Sequence, residues 1–232
     1  MPALSLESEC RKDFASPAVW ERIRLAYSEP HRRYHTLAHL QAMFGHYADV
    51  AAQLTYPRAV RWAIWFHDYV YHTEADRYPL NETLSASALA GVLQQDCPAL
   101  LSQTEHGLPC LALASAMILA TKRHHADMDG FANHPDACAD CGMLLDLDLA
   151  ILAQPREQVL AFDAGVRAEF AQYAEAEFAA GRIQALQRFL ARERIFHSAA
   201  FAQKESLARE NLTMLIACWA PFASQKPALK AP

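Results

Sequence analysis

No block or stripe of Lys and Arg runs through this chain, in which 21 basic side chains stand against 26 acidic ones for a formal net charge of -5. Binding nucleic acid calls for a basic face to neutralise phosphates, so nucleic acid is not expected as the partner. Long apolar runs are missing as well. The longest, CLALASAMILA at 110–120, is about half of the ~20 residues that cross a bilayer. The opening residues, MPALSLESECRKD, lack the basic start and apolar stretch of a secretory signal. These absences predict a cytoplasmic protein with no membrane partner.

Cysteine is present but sparse, at 10, 97, 110, 138, 141 and 218, which is nothing like a dense secreted disulfide framework, and reduced thiols are expected. Cys138 and Cys141 form CADC behind His124, His125 and His134, two thiolates with imidazoles nearby. No second CxxC completes a zinc site and no strand precedes the pair as in a redox motif, so both are read as loop cysteines. Alternating apolar patterns are almost absent too. What fills the sequence is helical spacing, in a chain whose 232 residues and 53% apolar content suffice for one sizeable core.

The expected fold is therefore all-α, a single domain over 1–232 with its core at about 16–220 and a frayed tail from Pro221. Ser16-Pro17 starts SPAVWERIRLAY, Leu37 to Leu54 forms a second helix, and Pro57 opens PRAVRWAIWFHD, whose end has little polar face. Asn81 is placed as the cap of NETLSASALAGVLQ, and LALASAMILATKRHH follows. After a polar, turn-rich stretch at 126–137 comes MLLDLDLAIL. A long helix runs from Pro155 to Gly181, and RIQALQRFLARE and KESLARENLTMLIACW complete the set.

Several acids and histidines are out of place on these helices. Asp68 sits at the apolar end of its helix, and Asp146 and Asp148 interrupt a run of leucines. Removing a carboxylate from water costs several kcal/mol unless something compensates it, and a divalent cation would do so. His67 beside Asp68 offers a neutral nitrogen ligand, and His35 and His39 share one helix face. Taken singly, each has a structural explanation as a cap, an ion-pair partner or a hydrogen-bonded core residue. Together they point to a shared metal site.

In RRYHTLAHL, WFHDYVY, NETLSA, ATKRHH, LLDLDLAIL, GVRAEF, AAGRIQALQRFL and ARENL, taken in that order, the chain resembles the HD superfamily of metal-dependent phosphohydrolases, specifically its bacterial branch of predicted HD phosphohydrolases. The resemblance implies an HD-type helical bundle that binds metal through a His, a His-Asp doublet and a distant Asp. It makes His67 and Asp68 the doublet. His39 is preferred to His35 as the first ligand, with His35 left for substrate or a second metal. Asp148 is preferred to Asp146 as the distant acid, although the two could exchange roles.

The implied activity is hydrolysis of a phosphate ester on a nucleotide or other small phosphorylated metabolite. Mn²⁺, Fe²⁺, Mg²⁺, Ni²⁺ or Zn²⁺ all suit such a ligand set, singly or as a pair, and lower the pKa of a bound water. Arg33 and Lys122 are placed against phosphoryl oxygens. Glu82 is placed where it could orient the attacking water or hand a proton to the leaving oxygen, its alternative being favourable interaction with a helix dipole. One of His124 and His125, with His124 preferred, would protonate the leaving group or bind a second metal. Arg167, Glu169, Glu205 and Arg209 are expected to form ion pairs between helices. Two other readings stay open: a di-iron oxygenase on the same bundle, and a non-catalytic ligand-binding protein. A homo-oligomer is compatible with all three.

Overall fold

A computed structural model of the chain describes residues 5–223. As expected the chain is all-α, with ten α-helices and one two-stranded hairpin among the described residues. It divides into two compact units, Met1–Asp148 and Leu149–Pro232.

The first unit holds α1 (Leu6–Phe14), α2 (Pro17–Ala26), α3 (Leu37–Val50), α4 (Pro57–Phe66), α5 (Asn81–Asp96), the hairpin β1 (Thr104–Glu105) and β2 (Leu108–Pro109), α6 (Cys110–Thr121) and α7 (Pro135–Leu149). The second holds α8 (Arg156–Glu169), α9 (Glu175–Leu190) and α10 (Glu205–Ala223). No helix among the described residues is long and apolar enough to cross a membrane.

Five boundaries differ from the sequence expectation, each for a local reason. The core begins earlier than residue 16, because Leu6, Cys10 and Phe14 recur every fourth residue and bury one face of α1, which Ser5 caps. Asn81 does not cap α5. It is the first helical residue, and its side chain clasps the backbone of His72, accepting from the N–H at 3.0 Å and donating to the carbonyl at 2.9 Å. Helix α7 starts at Pro135, so Cys138 and Cys141 are helical and not loop cysteines; burial pushes the Cys141 thiol up to about 12.

The long helix expected to end at Gly181 breaks after Glu169 instead. Arg167 donates to the carbonyls of Phe170 and Tyr173 and so satisfies the chain where the helix stops. Gly181 then lies inside α9, and Asp163, taking Arg182 at 2.8 Å and Trp219 at 2.6 Å, ties α8 to α9 and α10. Pro221 lies within α10, which continues to Ala223. The rest of the expected tail, 224–232, lies outside the described residues.

Helix α4 is the buried axis of the first unit. Trp62, Ala63, Ile64, Trp65 and Phe66 have no exposed surface, and burying a side chain such as Ile64 or Phe66 contributes roughly 1.5–3 kcal/mol. Its N-terminus is capped from a distance. The Glu105 carboxylate accepts from the N–H groups of Arg58 and Ala59, both at 3.0 Å, and Asp140 of α7 accepts from that of Tyr56 at 2.6 Å. The hairpin turn that presents Glu105 has positive φ at both His106 and Gly107, the pattern of a two-residue I′ turn. On the flank of α4, Arg61 and Trp65 both bond Asp13 of α1. A helix fixed at so many points delivers its last residues to a defined place.

Candidate metal centre

Those last residues are His67, the C-cap of α4, and Asp68 in the turn that follows. The Nδ1 of His67 lies 2.9 Å from the Ile64 carbonyl. A carbonyl oxygen only accepts, so Nδ1 carries a proton and Nε2 is turned to the cluster as a potential ligand. From the first turn of α3, buried His39 brings its own Nε2 to 3.1 Å from that of His67. From the last turn of α7, Asp148 brings Oδ1 to 3.2 Å from His39 and 3.8 Å from His67. These three ligand atoms lie within 4.8 Å of one another. Asp68 completes the approach, with Oδ2 3.1 Å from His67 and 4.0 Å from His39.

Two imidazole nitrogens and two carboxylates facing one point need a cation among them. Without a metal a proton serves. Burial opposes charge on His67, but the carboxylates of Asp68 and Asp148 outweigh it and raise its pKa to about 9. Burial, together with charged His67, keeps His39 below its usual value despite Asp148. Burial also works against both acids, and the surrounding histidines overcome it: His67 and His35 hold Asp68 low, and His124, His39 and His67 hold Asp148 well below the carboxylate range. The donor set, buried and mixed in nitrogen and oxygen, fits a divalent ion.

The other expected residues arrange themselves around this centre. His35 stands at its edge, with Nε2 3.9 Å from Asp68 and its ring stacked on Tyr71 at 4.3 Å. Of the two adjacent histidines, His124 points inward, 3.0 Å from Asp148 Oδ2, while His125 pairs with Asp127 at the surface. Asp146 is fully buried but stays outside the cluster, because two residues along a helix turn a side chain by about 200°. Glu82 lies close enough for Asp68, His124 and Lys122 to act on its charge. Burial first, and then Asp68, raises its pKa, and its buried Oε2 has no hydrogen-bond partner among the described residues.

The two cations expected at phosphoryl oxygens bond to backbone. Arg33 donates to the carbonyls of Pro30 and Arg32. Lys122 donates to that of Pro79 and, with Arg123, His125, Leu119 and Met128, lines a cavity of about 520 Å³ next to His124. Among the later charges, Glu205 and Arg209 pair within α10 at 2.7 Å, and buried Glu169 ends α8.

The sequence reading missed Arg32. Its side chain has no exposed surface, and its guanidinium reaches the carbonyls of His35, Asp68 and Tyr69 at 3.2, 2.8 and 3.0 Å. Tyr27 and Tyr71 lie against it, with ring centroids at 5.0 and 5.2 Å. In the doublet Arg32-Arg33 nothing in spacing or composition ranks one arginine over the other.

No protein-family model, curated protein or solved structure matches the chain. A helical chain with a His39-His67-Asp148 group able to hold a metal ion is compatible with an HD-type fold.

Proposed function

We propose that the protein is an HD-type, metal-dependent phosphohydrolase acting on a small phosphorylated metabolite or nucleotide. The observation that supports this most is the convergence of His39, His67, Asp68 and Asp148 from three separate segments on one buried point. A divalent ion held there supplies Lewis acidity and a water acidified towards neutral pH. Around it the chain supplies proton handling and orientation.

Glu82, with an unpaired buried carboxylate oxygen and near enough for Asp68 and His124 to act on its charge, would take the proton of an attacking water or return one to the leaving oxygen. His124 fixes the second oxygen of Asp148 and so holds that acid in one orientation. The cavity lined by Lys122 and Arg123 has the size of a small-molecule pocket and offers positive charge to a phosphoryl group, with Leu119 and Met128 for the organic part.

Asp148 presents Oδ1 to His39 and His67 and Oδ2 to His124. With His124 on Asp148 and His35 at the edge of the cluster, a second ion would find further nitrogen ligands there, and a di-iron oxygenase is the second reading.

Metal analysis of protein purified without chelator, with a phosphatase screen of the wild type and Asp68→Ala, tests the proposal. Bound Mn, Ni, Zn or Mg with phosphatase activity that the substitution removes is the expected result. Two irons and substrate-dependent dioxygen consumption would establish the second reading. Metal content and activity that both survive the substitution would rule out this site.

A further inference from the structure

Arg32 contributes no ligand atom to the cluster, yet it is the most completely enclosed cation beside it. Its guanidinium is a flat fork with five N–H donors in fixed directions. Three of its contacts are the carbonyls of His35, Asp68 and Tyr69, which belong to the two segments that meet at the metal centre. Two of these carbonyls follow directly on the C-terminal end of α4, where backbone acceptors have no partner within the helix. The Arg32 charge is balanced by Glu29 at 3.0 Å, and the rings of Tyr27 and Tyr71 leave the fork little freedom to turn. Tyr27 is itself anchored, donating its hydroxyl to the Trp65 carbonyl at 3.2 Å.

We propose that Arg32 is a positioning residue that sets the metal affinity of the cluster, by clamping the backbone of Asp68 to the segment that carries His35. The inference rests on the cluster being a metal site, and needs no particular reaction. Asp68 lies in a turn beyond the last residue of α4, so helix geometry alone does not fix it. The clamp on its carbonyl restricts where its carboxylate can go. A lysine ammonium has the charge but is a single point on a flexible stem, and it does not reproduce the fork whose two terminal nitrogens span the three carbonyls.

The test is Mn²⁺ titration of the full chain by calorimetry, with the Co²⁺ visible spectrum as a report on ligand geometry. Loss of a group that orients a metal ligand typically costs 10–100-fold in affinity. Arg32→Lys is expected to show that loss and an altered Co²⁺ spectrum, with far-UV circular dichroism retained. Glu29→Gln, which removes the charge partner and keeps the carbonyl contacts, is expected to bind as the wild type does. Should Arg32→Lys fail to fold, Arg32→Gln repeats the measurement with two donors for three carbonyls and no charge to leave buried.

Wild-type affinity in the folded Arg32 variant would overturn the inference. So would an equal loss in Glu29→Gln, which would assign the effect to charge balance. A wild-type protein that binds no metal would instead refute the metal reading itself, so the two failures are distinguishable.

Discussion

Asp140 makes the stability of α4 depend on pH in an unusual direction. Its carboxylate is buried on α7 and caps the start of α4 by accepting the Tyr56 N–H at 2.6 Å. Burial raises its pKa from 3.8 to about 6, with Glu105 and Asp136 adding to the effect and the backbone N–H groups of Tyr56 and Thr55 opposing it. Below 3.8 the folded and unfolded chains both hold the proton. Between the two values the unfolded chain loses it first, so this site's contribution to stability is complete at low pH and is lost as pH rises through about 6. The span of 2.2 units corresponds to at most about 3 kcal/mol, and partial solvent screening places the expected figure at about 1–2 kcal/mol.

Asp140→Asn stays neutral at every pH and keeps an acceptor for Tyr56. Urea unfolding of both proteins at pH 4, 5, 6 and 7 isolates the site together with its coupling to Glu105 and Asp136, because titrating groups that do not interact with Asp140 cancel in the difference. The variant should match the wild type near pH 4 and exceed it by about 1–2 kcal/mol at pH 7. A difference that stays constant with pH, or that favours the wild type at neutral pH, would refute the reasoning.

Metal binding should release close to one proton at neutral pH, because His67, at about 9 in the metal-free protein, must give up its Nε2 proton to become a ligand. Apparent Mn²⁺ affinity should then climb about tenfold per pH unit below 9 and level off above it, measured by calorimetry in buffers of different ionisation enthalpy; a flat profile would show that no imidazolium is displaced. His124→Gly should separate stability from function. His124 has φ of 47°, and relief of about 1–2 kcal/mol of left-handed strain is set against about 0.5–1 kcal/mol of added glycine entropy and about 1.5 kcal/mol for the lost bond to Asp148, so the urea midpoint should fall only slightly. Phosphatase turnover should fall at least tenfold, and a large loss of stability would instead make the ring a structural element.

The polar residues that spacing and burial set apart were legible in the sequence because a charge on an apolar helix violates a simple rule. Asp68 behind WAIWF and Asp148 among leucines are such violations, and both reach the cluster. Helical periodicity likewise exposed most of the helices. Less legible was everything that depends on a partner distant in sequence. Nothing near Asp140 or Glu105 says that their carboxylates cap α4 across 84 and about 47 residues, and Asn81, a strong local cap candidate, was taken by His72 instead. The break after Glu169 was hidden for the same reason, since its signal is a side chain, Arg167, that folds forward onto carbonyls.

His124 shows how a broken local rule can coincide with a side chain at the candidate centre. The turn ending α6 has both bonds of a Schellman motif, His124 N–H to the Thr121 carbonyl at 3.2 Å and His125 N–H to that of Ala120 at 3.4 Å. Glycine is the usual residue at the left-handed position, and histidine there is strained. Ala15 and His106 share the left-handed backbone, but neither carries a side chain to the cluster. At His124 the same backbone turn that ends the helix aims the imidazole at Asp148, and it leaves Lys122, Arg123 and His125 on the wall of the adjacent cavity. A glycine would end α6 and leave that wall in place as well but could not reach Asp148, so the strain at 124 is accounted for by the ring and not by the turn.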